Sequence, residues 1–578
     1  MITRRSFLKY GAGASAALAL PWTVRQAFAT GPARSLLTKY IQPLPLPGAG
    51  IVVATPSGMN QYAFTQREIA RQLHPNLPPT PLWAYDDGSG LAGQAGSFGM
   101  AVVAQSGIPV RMSFFNNVPS HYPSWIPVDP LLTPFRNPDG TPQVRLMTHL
   151  HGGFVAADSD GNPAATPLLF KQGETQTVYY TNQLPEMPAS LLWFHDHGLG
   201  TTRLNVFAGL AAAYILRDQY DTGSESGSNA NQIGIPGDAY EIPLVIQDRQ
   251  FNSDGTFLYP TSDIDDVIWI GEYFGNVMLV NGKVWPFLNV EPRMYRFRIL
   301  NGCNARILGL DIGGPNLWQI GAEGGMWDIP VPVKNLVLAP AERADVLVDF
   351  TKFAGQTLVM KNLKPHKPVS NPAPELPQVM QIRVGTTVSQ QGPTSVPSSL
   401  LGGRRAIVTG SIAATRYITL NEIDVDEPTW FLNLNGLHFD DPTTDPSQVQ
   451  TPKVGTVEDW VYVNMTGDTH PMHTHLVTFQ VVGRTPFDVQ AYEEMFEGPN
   501  GVPGGHDPTP FATGPEEPPD PTERGFKDTV KANPGYFTRI RAKFDLPMDV
   551  FPPQKYVHHC HIVEHEDNDM MRPYTVVP

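Results

Sequence analysis

The residues with the most chemistry in this chain are histidines gathered in four short runs. His149-Leu150-His151 and His195-Asp196-His197 lie in the N-terminal part. His470-Pro471-Met472-His473-Thr474-His475 and His559-Cys560-His561-Ile562-Val563-Glu564-His565, the latter followed by Met570, lie toward the C-terminus. Together the runs hold ten of the sixteen histidines. Two imidazoles, one thiolate and a weak axial thioether form the ligand set of an electron-transfer copper. His470, Cys560, His565 and Met570 supply that set. Eight imidazoles remain (His149, His151, His195, His197, His473, His475, His559 and His561), a number that suits three more metals. Four coppers would match the four electrons that reduce dioxygen to water.

Strands must position these groups. On a strand, alternate residues face the same side, so the two histidines of a His-x-His pair point together and the middle residue points away. In His559-Cys560-His561 the imidazoles then face one side and the thiolate the other. Electrons collected at Cys560 would have two covalent routes to metals on the opposite face. A lone His-x-His pair is usually only a polar stretch of strand, but four runs with a cysteine between two histidines are far more specific. Zinc favours closed sets of four ligands, and ten histidines with one cysteine fit that count poorly. Met571 competes with Met570 as the axial group, and packing is the plainer role for it. His74, His121, His366, His438, His506 and His558 lack ligand spacing and read as structural or solvent-exposed.

The rest of the chain reads as an all-β scaffold. At 578 residues it is too long for one core, and three domains are the natural division. Its 58 prolines and 52 glycines punctuate many short apolar runs, which favours β-sandwiches. Domain 1 is expected over residues 40–218, domain 2 over 238–384 and domain 3 over 411–578. Residues 219–237 and 385–410, rich in Ser, Gly, Asn or Pro, read as linkers. Residues 497–523 are dense in Pro, Gly and acid, and read equally as a rim over the substrate site or as a solvated insertion.

Residues 1–29 read as an export signal to be left out of the fold. Thr3-Arg4-Arg5-Ser6-Phe7-Leu8-Lys9 matches a twin-arginine signal, and Ala27-Phe28-Ala29 a cleavage site. Twin-arginine machinery is therefore an expected partner, and a periplasmic or secreted location the expected address. The apolar stretch is too short to anchor the protein stably in a membrane. Residues 1–29 carry four positive and no negative charges, so their removal moves the net charge from −15 to −19. That acidity argues against nucleic acid as a partner. Cys560 is committed to metal, which leaves Cys303 without a disulfide partner and best read as a small buried residue.

Several longer stretches carry a resemblance. They are THLHGG at 148–153, WFHDHGLGTTRLNVFAGL at 193–210, VNGKVWPFLNVEPRMYRFRILN at 280–301, LAPAERADVLVDF at 338–350, THPMHTHLVTFQV at 469–481, RGFKDTV at 524–530 and HHCHIVEHEDNDMMRP at 558–573. With them the chain resembles the three-domain multicopper oxidases, closest to the spore-coat laccase, bilirubin oxidase and phenoxazinone synthase branch. The resemblance implies three cupredoxin-like Greek-key sandwiches in a monomer. It implies a type 1 copper on His470, Cys560, His565 and Met570, a type 2 copper on His149 and His473, and two type 3 coppers on His151, His195, His197, His475, His559 and His561. It makes domain 2 a spacer and His565 the imidazole nearest the reducing substrate. Asp160 and Glu566 match the family's proton-carrying acids, whereas Asp196 reads as structural. The implied reaction is one-electron oxidation of a small aromatic substrate coupled to reduction of O2. An envelope metallo-oxidase acting on Cu(I) or Mn(II) is the alternative, although the seventeen methionines form no cluster. A non-catalytic scaffold would be expected to have lost ligands, and none is missing here.

Overall fold

The computed structural model describes residues 34–91, 99–163, 169–262, 268–400, 408–424, 430–439, 450–496 and 504–578. The twin-arginine segment lies outside them. Strands dominate, and they follow the expected period of two. Gln61–Arg71 alternates exposed and buried positions, with Tyr62 and Phe64 turned inward. Glu241–Arg249, inside a seven-stranded sheet, is buried at every position.

The sheets come in three pairs. The first pair has six strands ordered Leu46–Pro47, Gly50–Val53, Met100–Gln105, Ala211–Arg217, Leu191–Asp196, Thr148–His151, and four strands ordered Thr80–Asp86, Gln61–Arg71, Val110–Asn116, Thr175–Tyr180. Phe64 and Phe194 from the two sheets meet with ring centroids 6.0 Å apart. The middle pair has seven and five strands, drawn from Glu241–Arg249 through Gln378–Val384. The last pair has a five-stranded sheet built on Ile412–Asp424 and Val457–Asn464, and a four-stranded sheet ordered Thr529–Ala532, His470–Thr474, Gln554–Cys560, Met571–Val576. Trp460 and Tyr574 join these across a 5.3 Å centroid distance. In each pair some neighbouring strands run parallel: Met100–Gln105 with Ala211–Arg217, Glu241–Arg249 with Met294–Asn301, and Ile412–Asp424 with Val457–Asn464. Parallel neighbours cannot be joined by a hairpin, so the chain crosses between sheets as in a Greek key.

Two strand pairs carry the histidine runs. Thr148–His151, an edge strand, lies antiparallel to Leu191–Asp196 with His149 opposite His195. His470–Thr474 lies antiparallel to Gln554–Cys560 with His473 opposite His559 and Met472 opposite Cys560. One register thus fixes several ligands at once.

The sandwiches are tied together by polar contacts that composition alone does not reveal. The backbone of Tyr40–Leu44 bonds to the middle sandwich, from Tyr40 N–H to Trp285 O at 2.9 Å and from Leu44 N–H to Phe287 O at 2.8 Å. Residues 219–237, which read as a linker, are irregular but anchored. Asp221 is fully buried and accepts from Arg296 at 2.8 Å and from Arg298 at 2.7 Å. Burial opposes its charge, yet the two guanidiniums override that and hold the carboxyl well below the usual range. Removing one partner of a buried pair leaves the other charge uncompensated, at a cost of about 3–5 kcal/mol. Asp221→Ala is therefore expected to lower the stability of the purified protein by about 3 kcal/mol in chemical denaturation. A change within error would show that the linker is not a structural anchor.

Candidate metal centres

The first centre is a triangle of donor atoms. Cys560 Sγ lies 3.6 Å from His470 Nδ1 and 3.9 Å from His565 Nδ1, and the two nitrogens are 3.3 Å apart. His470 and Cys560 come from adjacent strands, whereas His565 comes from the short helix Val563–Asp567 that follows directly. The outer face of each ring is held: His470 Nε2 is 2.6 Å from Thr466 Oγ1, and the His565 ring bonds to the backbone of Gly271. Met570 is fully buried; Cys560 N–H donates to its carbonyl at 2.9 Å, and its own N–H donates to His565 O at 3.0 Å. Met571 sits on the neighbouring strand opposite His559.

The second centre gathers the other eight imidazoles, four from the first sandwich and four from the third. His151, His195 and His561 form one trio, and His197, His475 and His559 another, each with ligand atoms within 4.8 Å of one another. His149 and His473 group with His151. Cys560 thus sits between His559 of one trio and His561 of the other. Several outer nitrogens find backbone or carboxylate acceptors, whereas neither ring nitrogen of His561 has a hydrogen-bond partner among the described residues. Nδ1–H of His149 donates to Asp160 O at 2.6 Å, that of His195 to Asp196 O at 2.8 Å and that of His473 to Asp528 O at 2.8 Å. The inner nitrogens, His149 Nε2, His151 Nδ1, His195 Nε2 and His473 Nε2, are buried and find no hydrogen-bond partner among the described residues.

This arrangement fits a metal. Burial pushes His149, His195 and His470 down to about 3, so the rings are neutral donors. The rings nonetheless face one another closely, with His559 Nε2 3.3 Å from His197 Nε2 and 3.2 Å from His475 Nε2. Burial drives the Cys560 thiol far above its usual range, and Glu422, Glu566 and Glu272 add to this against the N–H of Ile562. A bound cation would reverse that preference, since a thiol ligand binds as thiolate. Inward lone pairs without partners, neutral imidazoles and a buried thiol suit a soft transition metal.

The acids named from sequence touch these rings. Asp160 Oδ2 accepts from His475 Nδ1 at 2.8 Å, and Glu566 lies 3.3 Å from His197 Nδ1 and 3.2 Å from His559 Nδ1. Asp196 points away from the rings and accepts from Met147 N–H and Asn205. His565, expected as the imidazole nearest the reducing substrate, is only 2% exposed: Trp269 Nε1–H donates to Glu564 O of helix Val563–Asp567, and the His565 ring bonds to the backbone of Gly271. The described part of the 497–523 stretch turns elsewhere, bonding to Tyr492, Arg484 and Arg539. His558 is fully buried against Trp460, His74 bonds to Thr38 O, and His506 stacks on Phe496. Cys303 is buried and has no disulfide. Sequence reasoning missed Asp528, Arg343 and Asp567. All three lie within the quoted motifs, and that is the one local signal that could have marked them.

Comparison with known proteins agrees with this chemistry. A family profile described as "Multicopper oxidase" matches residues 414–578, and one for the twin-arginine translocation pathway signal matches residues 1–21. The chain therefore carries an export signal, and among the described residues no helix is long and apolar enough to cross a membrane. The chain is 36% identical to a laccase of Bacillus subtilis over 93% of this chain and 99% of that one. It is 34% identical to a laccase of Haloferax volcanii over 99% and 91%. The crystal structure of the McoA multicopper oxidase of Aquifex aeolicus superposes with a TM-score of 0.68 at 26% identity, covering 94% of this chain and all of that one. The three sandwiches are accordingly cupredoxin-like. Identity at this level along almost the full length of both proteins leaves one assignment: the chain belongs to the multicopper oxidases, a family of copper-dependent oxidoreductases.

Proposed function

We propose that this protein is a laccase-like oxidase that holds four coppers and couples one-electron oxidation of phenols, aromatic amines or related pigments to reduction of O2 to water. In this reading the type 1 copper takes His470, Cys560, His565 and axial Met570. The type 2 copper takes His149 and His473. The type 3 pair takes His151, His195 and His561 on one side and His197, His475 and His559 on the other. Copper, when bound, would supply one-electron redox chemistry at the thiolate, and the four ions together would hold the four electrons that dioxygen needs. The carrying observation is the Cys560 strand: its thiol shares a triangle with His470 and His565, while its two sequence neighbours belong to the two different trios. Two peptide links therefore connect the substrate side to the dioxygen side.

Substrate would deliver electrons to His565 across the Trp269–Gly271 cover. The surroundings are acidic. Glu272 is buried beside Asp468, Glu422 and Glu564, and burial followed by their repulsion raises its carboxyl well above the usual range. Glu422 Oε1 lies 3.5 Å from His470 Nε2. A cationic donor would draw these carboxyls toward their charged form and an anionic one would oppose it, so the wall favours neutral or cationic donors over anionic ones. It also favours a second reading, oxidation of a reducing cation such as Cu(I) or Mn(II). Asp160 and Glu566, fully buried against the trios, would pass protons toward dioxygen as they orient their histidines. We further propose signal 1–29, cupredoxin domains at 40–218, 238–384 and 411–578, export as a folded monomer, and residence in the periplasm or outside the cell without a membrane anchor.

Three experiments test this reading. Oxygen uptake with a phenol, an aromatic amine, bilirubin, Cu(I) and Mn(II) should show turnover of the organic donors; uptake with the cations alone would favour the second reading. Cys560→Ser should abolish the blue absorption and substrate turnover while the fold persists by circular dichroism, and a variant that stays blue would remove Cys560 from the type 1 site. Asp160→Asn and Glu566→Gln should leave anaerobic reduction of the type 1 copper near its normal rate. They should slow reoxidation by roughly 10²–10⁴-fold, the range for loss of a general acid. Equal slowing of both steps in stopped flow, or of neither, would take these acids off the proton path.

A further inference from the structure

No described residue of the middle sandwich joins either cluster, yet one of its side chains reaches the histidines of the larger centre through an acid. Arg343 opens the strand Arg343–Asp349 and is 1% exposed. Its guanidinium bonds to all three sandwiches. Nε–H donates to Leu191 O of the first at 3.1 Å, and one terminal nitrogen donates to Ala341 O of its own at 3.0 Å. The two terminal nitrogens grip Asp528 of the third, at 2.8 Å to Oδ1 and 2.5 Å to Oδ2.

Asp528 in turn holds two of the metal-facing rings. His151 Nε2–H donates to its Oδ1 at 3.1 Å, and His473 Nδ1–H donates to its carbonyl at 2.8 Å. Thr529 Oγ1–H adds a bond to Oδ1 at 2.9 Å and lies 3.1 Å from His151 Nε2. The consequence for His151 is specific. His149, His195 and His473 turn Nδ1 outward, whereas His151 turns Nε2 outward to Asp528 and leaves Nδ1 facing the centre. A hydrogen bond at the outer nitrogen fixes which tautomer the ring adopts and how it is aimed.

The glycine after His151 records the same pair independently. Gly152 has φ +86°, and a Cβ there would lie 2.6 Å from Asp528 Oδ2 and 2.8 Å from an Arg343 terminal nitrogen. The motif THLHGG therefore leaves room for an ion pair contributed by two other domains.

We propose that Arg343 is a positioning residue of the dioxygen-reducing centre: through Asp528 it sets the tautomer and aim of His151 and the seat of His473, so the middle domain governs a site to which it gives no ligand. This rests on the four-copper reading above. Arg343→Lys keeps the charge but loses the planar fork and the Nε bond to Leu191 O. Asp528→Asn keeps the shape and weakens the acceptor for His151.

The test is made on the exported, copper-loaded enzyme. Wild type must first show four coppers per chain and blue absorption; a failure at that point strikes the four-copper reading rather than this one. In Arg343→Lys, blue absorption and anaerobic type 1 reduction should stay within about twofold of wild type, while the type 2 electron paramagnetic resonance hyperfine splitting shifts and reoxidation by O2 slows tenfold or more. Asp528→Asn should shift the same two signals, and the double variant should be little worse than either single one. Unchanged type 2 resonance and reoxidation in Asp528→Asn would overturn the proposal, whether or not Arg343→Lys folds. So would a double variant in which the two effects simply multiply.

Discussion

Everything at the two centres depends on the alternation of side chains along residues 559–561. A strand sends Cys560 one way and its neighbours the other, with no residue between them. The antiparallel partner strand repeats the rule in register, since Met472 faces Cys560 and His473 faces His559. His470 thereby falls on the thiol side, and His473 and His475 fall on the imidazole side. A one-residue slip between these strands would exchange the two sets, so the hydrophobic core that fixes the register also fixes the chemistry. Trp460 and Tyr574, which pack on each other and on His558, belong to that core.

The second constraint is that the larger centre exists only between sandwiches. Four rings come from each side, so neither domain could assemble it alone. Burying this many polar groups is costly unless each is paired. The interface meets that demand with charge pairs as well as apolar contacts. Asp567, two residues beyond His565, accepts from the N–H groups of Thr202 and Arg203 at 3.0 Å each and pairs with the Arg203 guanidinium at 2.9 Å. It caps the helix Thr202–Ala208 of the first sandwich, where a carboxylate also meets the positive end of the helix dipole. Lys527 and Lys531 engage Glu323 and Glu342 of the middle sandwich at 2.8 and 2.9 Å. These pairs are directional, which serves a site whose rings must be aimed better than apolar packing alone would aim them.

The clustering of the candidate ligand histidines was legible in the sequence because their signal is local. A His-x-His pair on a strand needs only the period of two, and Cys560 between two such residues needs nothing more distant. The β character was legible for the same reason, from short apolar runs cut by Pro and Gly. What stayed hidden acts over long separations. Asp221 sits in a stretch whose Ser, Gly and Asn suggest a solvated linker, yet its partners Arg296 and Arg298 lie in a strand of the next sandwich. Asp528, just before one strand, and Arg343, at the start of another, look like ordinary charges, and their meaning appears only where three domains meet. The cover on His565 comes from Trp269 and Gly271, nearly three hundred residues earlier in the chain, so no local pattern could foretell it.

The central claim is that one cysteine and ten histidines hold four metal ions in two places joined by Cys560. Anomalous diffraction from crystals of the exported protein, collected on both sides of the copper absorption edge, tests it most directly. The account predicts four copper peaks: one inside the His470–Cys560–His565 triangle and three among the eight remaining imidazoles, one of them bordered by His149 and His473 alone. A single copper at the triangle with the histidine cluster empty, or zinc in place of copper at the cluster, would contradict it.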